Sequence, residues 1–323
     1  MIPTHTSHFD PTRLINRERV IRGISAVLLP YSAQHRIDWN AFAAHLARTA
    51  EAGITPAVNM DTGYVQLIDN ATRRDVLRCT HETLGSQEFV AGACVADHDG
   101  DAFNREAYRE QFGMIEESGG VPVIFPSWGL SAGTEKDVMD KYKQLAAIVD
   151  RFIAFELSTV FAACGRILSI ESYGELLQIS NCLGAKHSSL SRQLEWQRLV
   201  VRNQVRPDFH VFTGNDLAID MVRYGSDWLL GLSTAFPEAF AQRDAWWAAG
   251  DCRFDELDDA LQALGDFAFR PPVPAYKHSM AMALLIRGKL TSDETHPESP
   301  RRPASDRDVI ATILDRIETA RQA

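Results

Sequence analysis

From Arg22 onward, short apolar or β-branched runs alternate with longer segments whose apolar residues recur at helical spacing. Eight runs read as strands: 24–29, 55–60, 89–95, 121–125, 152–157, 183–187, 210–213 and 228–232. Several are continuously apolar rather than alternating, the pattern of a parallel sheet covered on both faces. Between them lie helical patterns at 39–52, 71–84, 103–117, 135–149, 172–179, 190–202, 216–224 and 237–249. The first, WNAFAAHLARTAEA, places Phe42, Leu46 and Ala50 on one face. Eight strand-then-helix units predict a (β/α)8 TIM barrel. An open doubly wound sheet is the second architecture, but no GxGxxG follows its first strand.

Three further helical patterns, 254–264, 274–287 and 306–321, predict a C-terminal helical extension. The Pro-rich polar stretch SDETHPESPRRPAS (292–305) reads as a loop. The expected organisation is an N-terminal arm over 1–21, the barrel over 22–250 and the extension over 251–323. The opening 23 residues lack the apolar core of a secretory signal, and no apolar run approaches the roughly 18 residues of a membrane span. Lys plus Arg number 33 against 43 Asp plus Glu, a formal charge of −10 with no basic stripe, which argues against a nucleic-acid partner. Cys79, Cys94, Cys164, Cys182 and Cys252 are scattered and odd in number, as expected of buried, reduced thiols in a cytoplasm.

In a barrel, chemistry belongs at the C-terminal ends of the strands. That rule selects Asp61-Thr62-Gly63-Tyr64 after strand 2 and Asp97-His98-Asp99-Gly100-Asp101 after strand 3. It also selects Trp128 after strand 4, Phe155-Glu156 on strand 5, Lys186-His187 on strand 6 and Asn215-Asp216 after strand 7. Lys186 is the most informative, because the seven residues before it carry no charge. A free lysine is neutral in only about one molecule in 2500 at pH 7. Depressing its pKa by about 3 units, roughly 4 kcal/mol, would make it a nucleophile able to form an imine. The other role for Lys186 is a partner for Glu156 on the neighbouring strand. Asp97–Asp101 resembles the first half of a calcium loop but lacks its late glutamate; as a solvated loop, its Asp101 would cap the next helix. Asn215-Asp216 reads as another helix cap.

These residues resemble the dihydrodipicolinate synthase / N-acetylneuraminate lyase superfamily, class I aldolases and dehydratases that work through a Schiff base. VNMDTGYVQL falls at the family's Gly-Thr-Thr-Gly-Glu loop, and GAKHSS at its Gly-Ile-Lys motif. VFTGNDLAIDMVRYGSDWLLGLST resembles the stretch ending in the family's eighth strand, and FRPPVPAYKHSMAM its Asn-Pro-x-Pro-x-Lys helix start. The resemblance implies Lys186 as the imine lysine, a homo-oligomer (dimer or tetramer), no metal and no organic cofactor.

Two departures stand out. The first threonine of the family's carboxylate-binding loop is Asp61, which repels a substrate carboxylate unless a cation or proton intervenes. The family's proton-relaying tyrosine is Phe155, and its neighbour Glu156 points to the opposite face of the sheet. Asp61 and Tyr64 are therefore the expected catalytic partners of Lys186, with His98 and His187 as further proton-handling groups. Thr62, Gly63, Phe155, His98, Trp128 and Leu230 are the expected substrate-binding set. Trp128 has a second reading as a packing residue between subunits. The expected function is a lyase acting on a 2-oxo acid or keto-sugar derivative. The alternatives are a non-catalytic ligand-binding barrel and a metal-dependent hydrolase or isomerase using Asp61, His98 and Asp99.

Overall fold

The computed structural model describes residues 9–323. Eight parallel strands close into a barrel in sequence order. They are β1 (Gly23–Ala26), β2 (Thr55–Val58), β3 (Val90–Ala93), β4 (Val121–Ile124), β5 (Phe152–Leu157), β6 (Cys182–Ser188), β7 (His210–Thr213) and β8 (Asp227–Leu230). The closed form, with β1 paired to both β2 and β8, settles the choice against the open sheet. The first eight residues of the expected arm lie outside the described residues.

The helices are α1 (Trp39–Glu51), α2 (Asn70–Leu84), α3 (Arg105–Glu117), α4 (Trp128–Ser131), α5 (Glu135–Ala146), α6 (Ile170–Leu176), α7 (Arg192–Val205) and α8 (Pro237–Ala248). Most begin at a side-chain cap, which satisfies amide groups left open by the first turn. Asp38, Asp69, Asn104, Ser169 and Ser191 each accept a backbone N–H in this way. Asn104, and not Asp101, caps α3; the Asp101 carboxylate instead accepts the His98 amide at 2.7 Å.

The expected helix over 216–224 is a 3-10 segment, Ile219–Tyr224, closed by Gly225 at φ 106°. Asn215 accepts the Leu217 amide, but Asp216 is drawn across to the end of β8, where it accepts the Leu232 amide at 2.8 Å. That tether leaves too little free chain for an α-helix.

α9 (Arg253–Ala268), α10 (Tyr276–Ile286) and α11 (Asp306–Gln322) form the C-terminal extension. They pack with α8 and the outer face of β8 in one apolar cluster holding Trp246, Trp247, Leu261 and Ile317. The 292–305 segment has no helix or strand, yet it is fastened. Arg302 donates to the carbonyls of Ala268, Pro271 and Pro272, and its amide donates to His278. These bonds pin the turn between α9 and α10 over the barrel mouth. Of the five thiols, only Cys94 and Cys182 are buried; Cys79 and Cys164 are half-buried and Cys252 is exposed, since it sits in the turn before α9. No described helix is long and apolar enough to cross a membrane.

Candidate active site

Side-chain direction around the barrel follows the strand register. Phe155 on β5 lies opposite Lys186 on β6, and Lys186 opposite Phe212 on β7. All three point inward, since alternate residues of a strand share a face. Phe155 and Phe212 belong to the inner apolar cluster with Ile24, Ala57, Val90 and Leu229. The next residues, Glu156, His187 and Thr213, share the outer face, toward α7.

That outer face carries a buried polar line. His187 Nδ1 lies 2.8 Å from a Glu156 oxygen, and its Nε2 lies 2.7 Å from Ser189 Oγ. Arg198, on α7, holds both Glu156 oxygens, at 2.8 and 3.1 Å. Burial alone would raise the Glu156 carboxyl, but His187 and Arg198 hold it down at about 2. Glu156 is therefore committed on the far side of the sheet, and pairing with Lys186 is ruled out by facing. This line holds β5, β6 and α7 together behind Lys186.

Lys186 opens on a cavity of about 120 Å³ at the C-terminal end of the barrel. Among the described residues its amine has no hydrogen bond and no carboxylate within ion-pair distance. It lies 4.7 Å from the centre of the Phe155 ring. Burial lowers its pKa below the ordinary lysine value, and the charges of Asp216 and Asp61 oppose that shift without cancelling it. Gly214 makes room for the arm: a Cβ there would stand 2.6 Å from Lys186 Cε and closer still to Ser188 Oγ.

Asp61 and Thr62 reach the same cavity from a 3-10 turn, Asp61–Gly63, that follows β2. α10 supplies two groups that sequence reading passed over. Tyr276 OH donates to Asp61 Oδ2 at 2.9 Å and lies 2.8 Å from Thr62 Oγ1. Lys277, nearly fully buried, lies 3.0 Å from Asp61 Oδ2. Lys277 is thus the cation that makes a carboxylate tolerable in this loop. Burial, with Asp61 beside it, pushes the Tyr276 phenol well above its ordinary value, so it stays protonated. The signal in the sequence was a lone lysine in the mostly apolar run AYKHSMAMALLI.

Asp216 lines the cavity too, and burial raises its pKa to about 6 despite amide donors from Leu232 and Gly231 and the Lys186 charge. A raised carboxyl pKa costs stability: the penalty is absent below about pH 4, grows as pH rises to about 6, and is complete above it. Two units correspond to about 3 kcal/mol. Asp216→Asn is therefore expected to gain stability over the wild type at pH 7 and not at pH 4, measured by urea unfolding at both pH values. An equal difference at the two would show that Asp216 ionises normally. A carboxylate kept at such a cost beside a lysine is a functional-site feature.

Other expected site residues lie elsewhere. Tyr64 is buried at 1% exposure, at φ 61°, and its ring meets Tyr31 edge-on at 5.7 Å. Gly63 donates its amide to Met60 and does not line the cavity. Leu230, paired with Ser25, faces the helix layer in the outer cluster. His98 is 93% exposed on its loop. Trp128 starts α4, where the Asp97 carboxylate accepts the Trp128 and Gly129 amides at 2.8 Å each. Among the described residues, no three His, Cys, Asp or Glu side chains gather as metal ligands, so Asp61, His98 and Asp99 do not converge.

No known protein-family profile matches the chain. Over 230 residues, 70% of this chain and 75% of the relative, it is 24% identical to the 4-hydroxy-tetrahydrodipicolinate synthase of Kosmotoga olearia. Its fold is similar to that of the dihydrodipicolinate synthase of Thermotoga maritima, with a TM-score of 0.77 and 17% identity, covering 93% of this chain and 99% of that one. It is equally similar to YagE, a prophage protein of the dihydrodipicolinic acid synthase family from E. coli K12 solved in complex with pyruvate. There the TM-score is 0.77 and the identity 17%, over 92% of this chain and 98% of that one. At such identities the structures establish the shared barrel and say nothing of substrate. In sequence over most of its length and in fold over nearly all of it, the family this chain resembles is that of the dihydrodipicolinate synthases.

Proposed function

We propose that the protein is a lyase or synthase that processes a 2-oxo acid through a Schiff base on Lys186. The observation that carries this reading is an unpaired amine of lowered pKa opening on the barrel-mouth cavity. The neutral Lys186 amine attacks the C2 ketone, water leaves, and the iminium then acts as an electron sink for carbon–carbon cleavage, condensation or dehydration. The likeness to a synthase, and to a prophage protein of the synthase family solved with pyruvate, supports a pyruvyl head group.

Proton transfer needs a group that Phe155 cannot supply. In this reading Asp61 is the basic end of the line, and the Tyr276 hydroxyl passes the proton between it and the substrate. Thr62 holds that hydroxyl in place. The side chain at Phe155 then packs against the lysine arm instead of relaying a proton. The enzyme needs no resident cofactor for this chemistry and works as a homo-oligomer, as the resemblance implies, and its scattered thiols fit a cytoplasm.

The test is borohydride trapping with a panel of 2-oxo acids, read by peptide mass. The expected adduct is on the peptide carrying Lys186; an adduct on another lysine sinks the assignment. In the same assay Tyr276→Phe is expected to keep forming the adduct while turnover falls by about 10²–10³-fold, the scale of a lost acid–base group. Unchanged turnover would remove Tyr276 from the proton path.

A further inference from the structure

The cavity has two unlike ends. Lys186, Asp61, Thr62, Tyr276, Asp216 and Ser188 make one polar end, where the barrel strands finish. Leu157, Val160, Phe161 and Val273 line the rest together with the exposed amide of Gln66, while Phe155 lies beside Lys186 and Phe269 stacks on Tyr276. Phe125 lines the cavity too, its ring edge-on to Phe155 at 5.1 Å. Val160 is 68% exposed at the mouth, an apolar side chain uncovered beside the site.

The charge pattern is equally one-sided. Lys186 is the sole basic side chain on the cavity wall among the described residues, and as an iminium its charge is fixed at C2 of the substrate. The other charged groups there are Asp61 and Asp216. Lys277 already answers Asp61 from behind the wall. A substrate with a second carboxylate would meet carboxylates at one end and, apart from the Gln66 amide, apolar surface at the other, with no further cation to receive it. At about 120 Å³ the enclosed part is small. It is near the roughly 150 Å³ that holds a single benzene ring in an engineered core. The pyruvyl head fills the polar end, and the rest of the molecule lies along the apolar way out past Val160.

From this division we infer that the site takes 2-oxo acids whose distal end is uncharged and apolar, an aryl or branched alkyl group. The inference rests on the Schiff-base reading above. For a 4-hydroxy-2-oxo acid of this kind, Lys186 forms the C2 iminium with loss of water. The C4 hydroxyl gives its proton to the Asp61–Tyr276 line, the C3–C4 pair moves into the iminium, and the apolar aldehyde leaves. The remaining enamine is protonated at C3, and water releases pyruvate and the free amine. Condensation is the same sequence reversed.

The test uses two 2-oxo acids identical up to C4, 2-oxo-4-phenylbutanoate and 2-oxoglutarate. The concentration giving half-maximal borohydride labelling of Lys186 is measured for each. The expected result is a preference of at least tenfold for the phenyl compound, reduced in Val160→Arg, which places a cation at the mouth. Equal labelling, or preference for 2-oxoglutarate, overturns the substrate class and leaves the Schiff base standing. Calorimetric binding of both acids to Lys186→Met separates the two readings. A tenfold phenyl preference there sustains the class even if no imine is trapped in the wild type; its absence overturns the class.

Discussion

Lys186→Met is expected to lose turnover of any accepted 2-oxo acid by about 10⁴-fold or more, the scale on which removal of a covalent nucleophile is felt. It is expected to remain folded. Methionine preserves most of the arm that packs against Phe155 and passes Gly214. The substitution also removes an amine that burial disfavours in its charged form. The sign follows from linkage. The folded pKa lies below the unfolded value of 10.5, so the unfolded chain binds the extra proton between the two. Wild-type stability therefore rises with pH through that window, and below it the charged amine is a standing cost. The variant lacks this slope. Urea unfolding at pH 7 and pH 9 should show it at least as stable as the wild type at pH 7, with the gap narrowing at pH 9. Residual turnover within tenfold of the wild type would remove Lys186 from the chemistry. A large loss of stability would make it a structural lysine.

The second large effect lies behind the sheet. Arg198→Met leaves the buried Glu156 carboxylate with His187 and the Leu168 amide, where Arg198 now holds both of its oxygens. Removing one partner of a buried pair costs about 3–5 kcal/mol, because the other charge stays desolvated. Glu156 sits at about 2 when folded against 4.5 when unfolded, so its contribution is fully present above pH 4.5 and is lost as pH falls toward 2. The deficit of Arg198→Met should therefore be largest at neutral pH and shrink in acid. Adding Glu156→Gln should restore part of it, since a neutral amide has less to lose. A neutral-pH deficit under about 1 kcal/mol would mean that the pair contributes little more than an exposed one. Since β5 and β6 carry Phe155 and Lys186 on the face opposite this pair, the variant also reads how firmly the lysine is aimed.

The barrel was legible because its signals are local. Continuous apolar runs such as FIAFEL and the 3.6-residue rhythm of α1 or α3 depend only on neighbouring residues, and all eight strand expectations overlap the observed strands. The alternation of strand faces was enough to send Glu156 outward once Phe155 faced in. The partial burial of Lys186 could be anticipated from the uncharged run before it. The 216–224 segment failed as a helix because the bond from Leu232 to Asp216, partners 16 residues apart and outside the reach of helical i,i+4 pairing, competes with local helical propensity.

The site chemistry divides along the same line. Sequence by itself determined the strand ends from which Asp61, Thr62, Phe155, Lys186 and Asp216 approach one another, since barrel geometry gathers strand termini whatever lies between them. Only the tertiary structure decided which of the neighbouring groups turn in. Tyr64 rotates into the Tyr31 cluster through its left-handed backbone, while Leu230 follows the register of β8 to the helix layer. Tyr276 and Lys277, more than 200 residues from Asp61, arrive on α10 because the extension folds back over the mouth. Their partnership with Asp61 is a contact between distant segments, set by helix packing and the Arg302 clamp rather than by any local pattern.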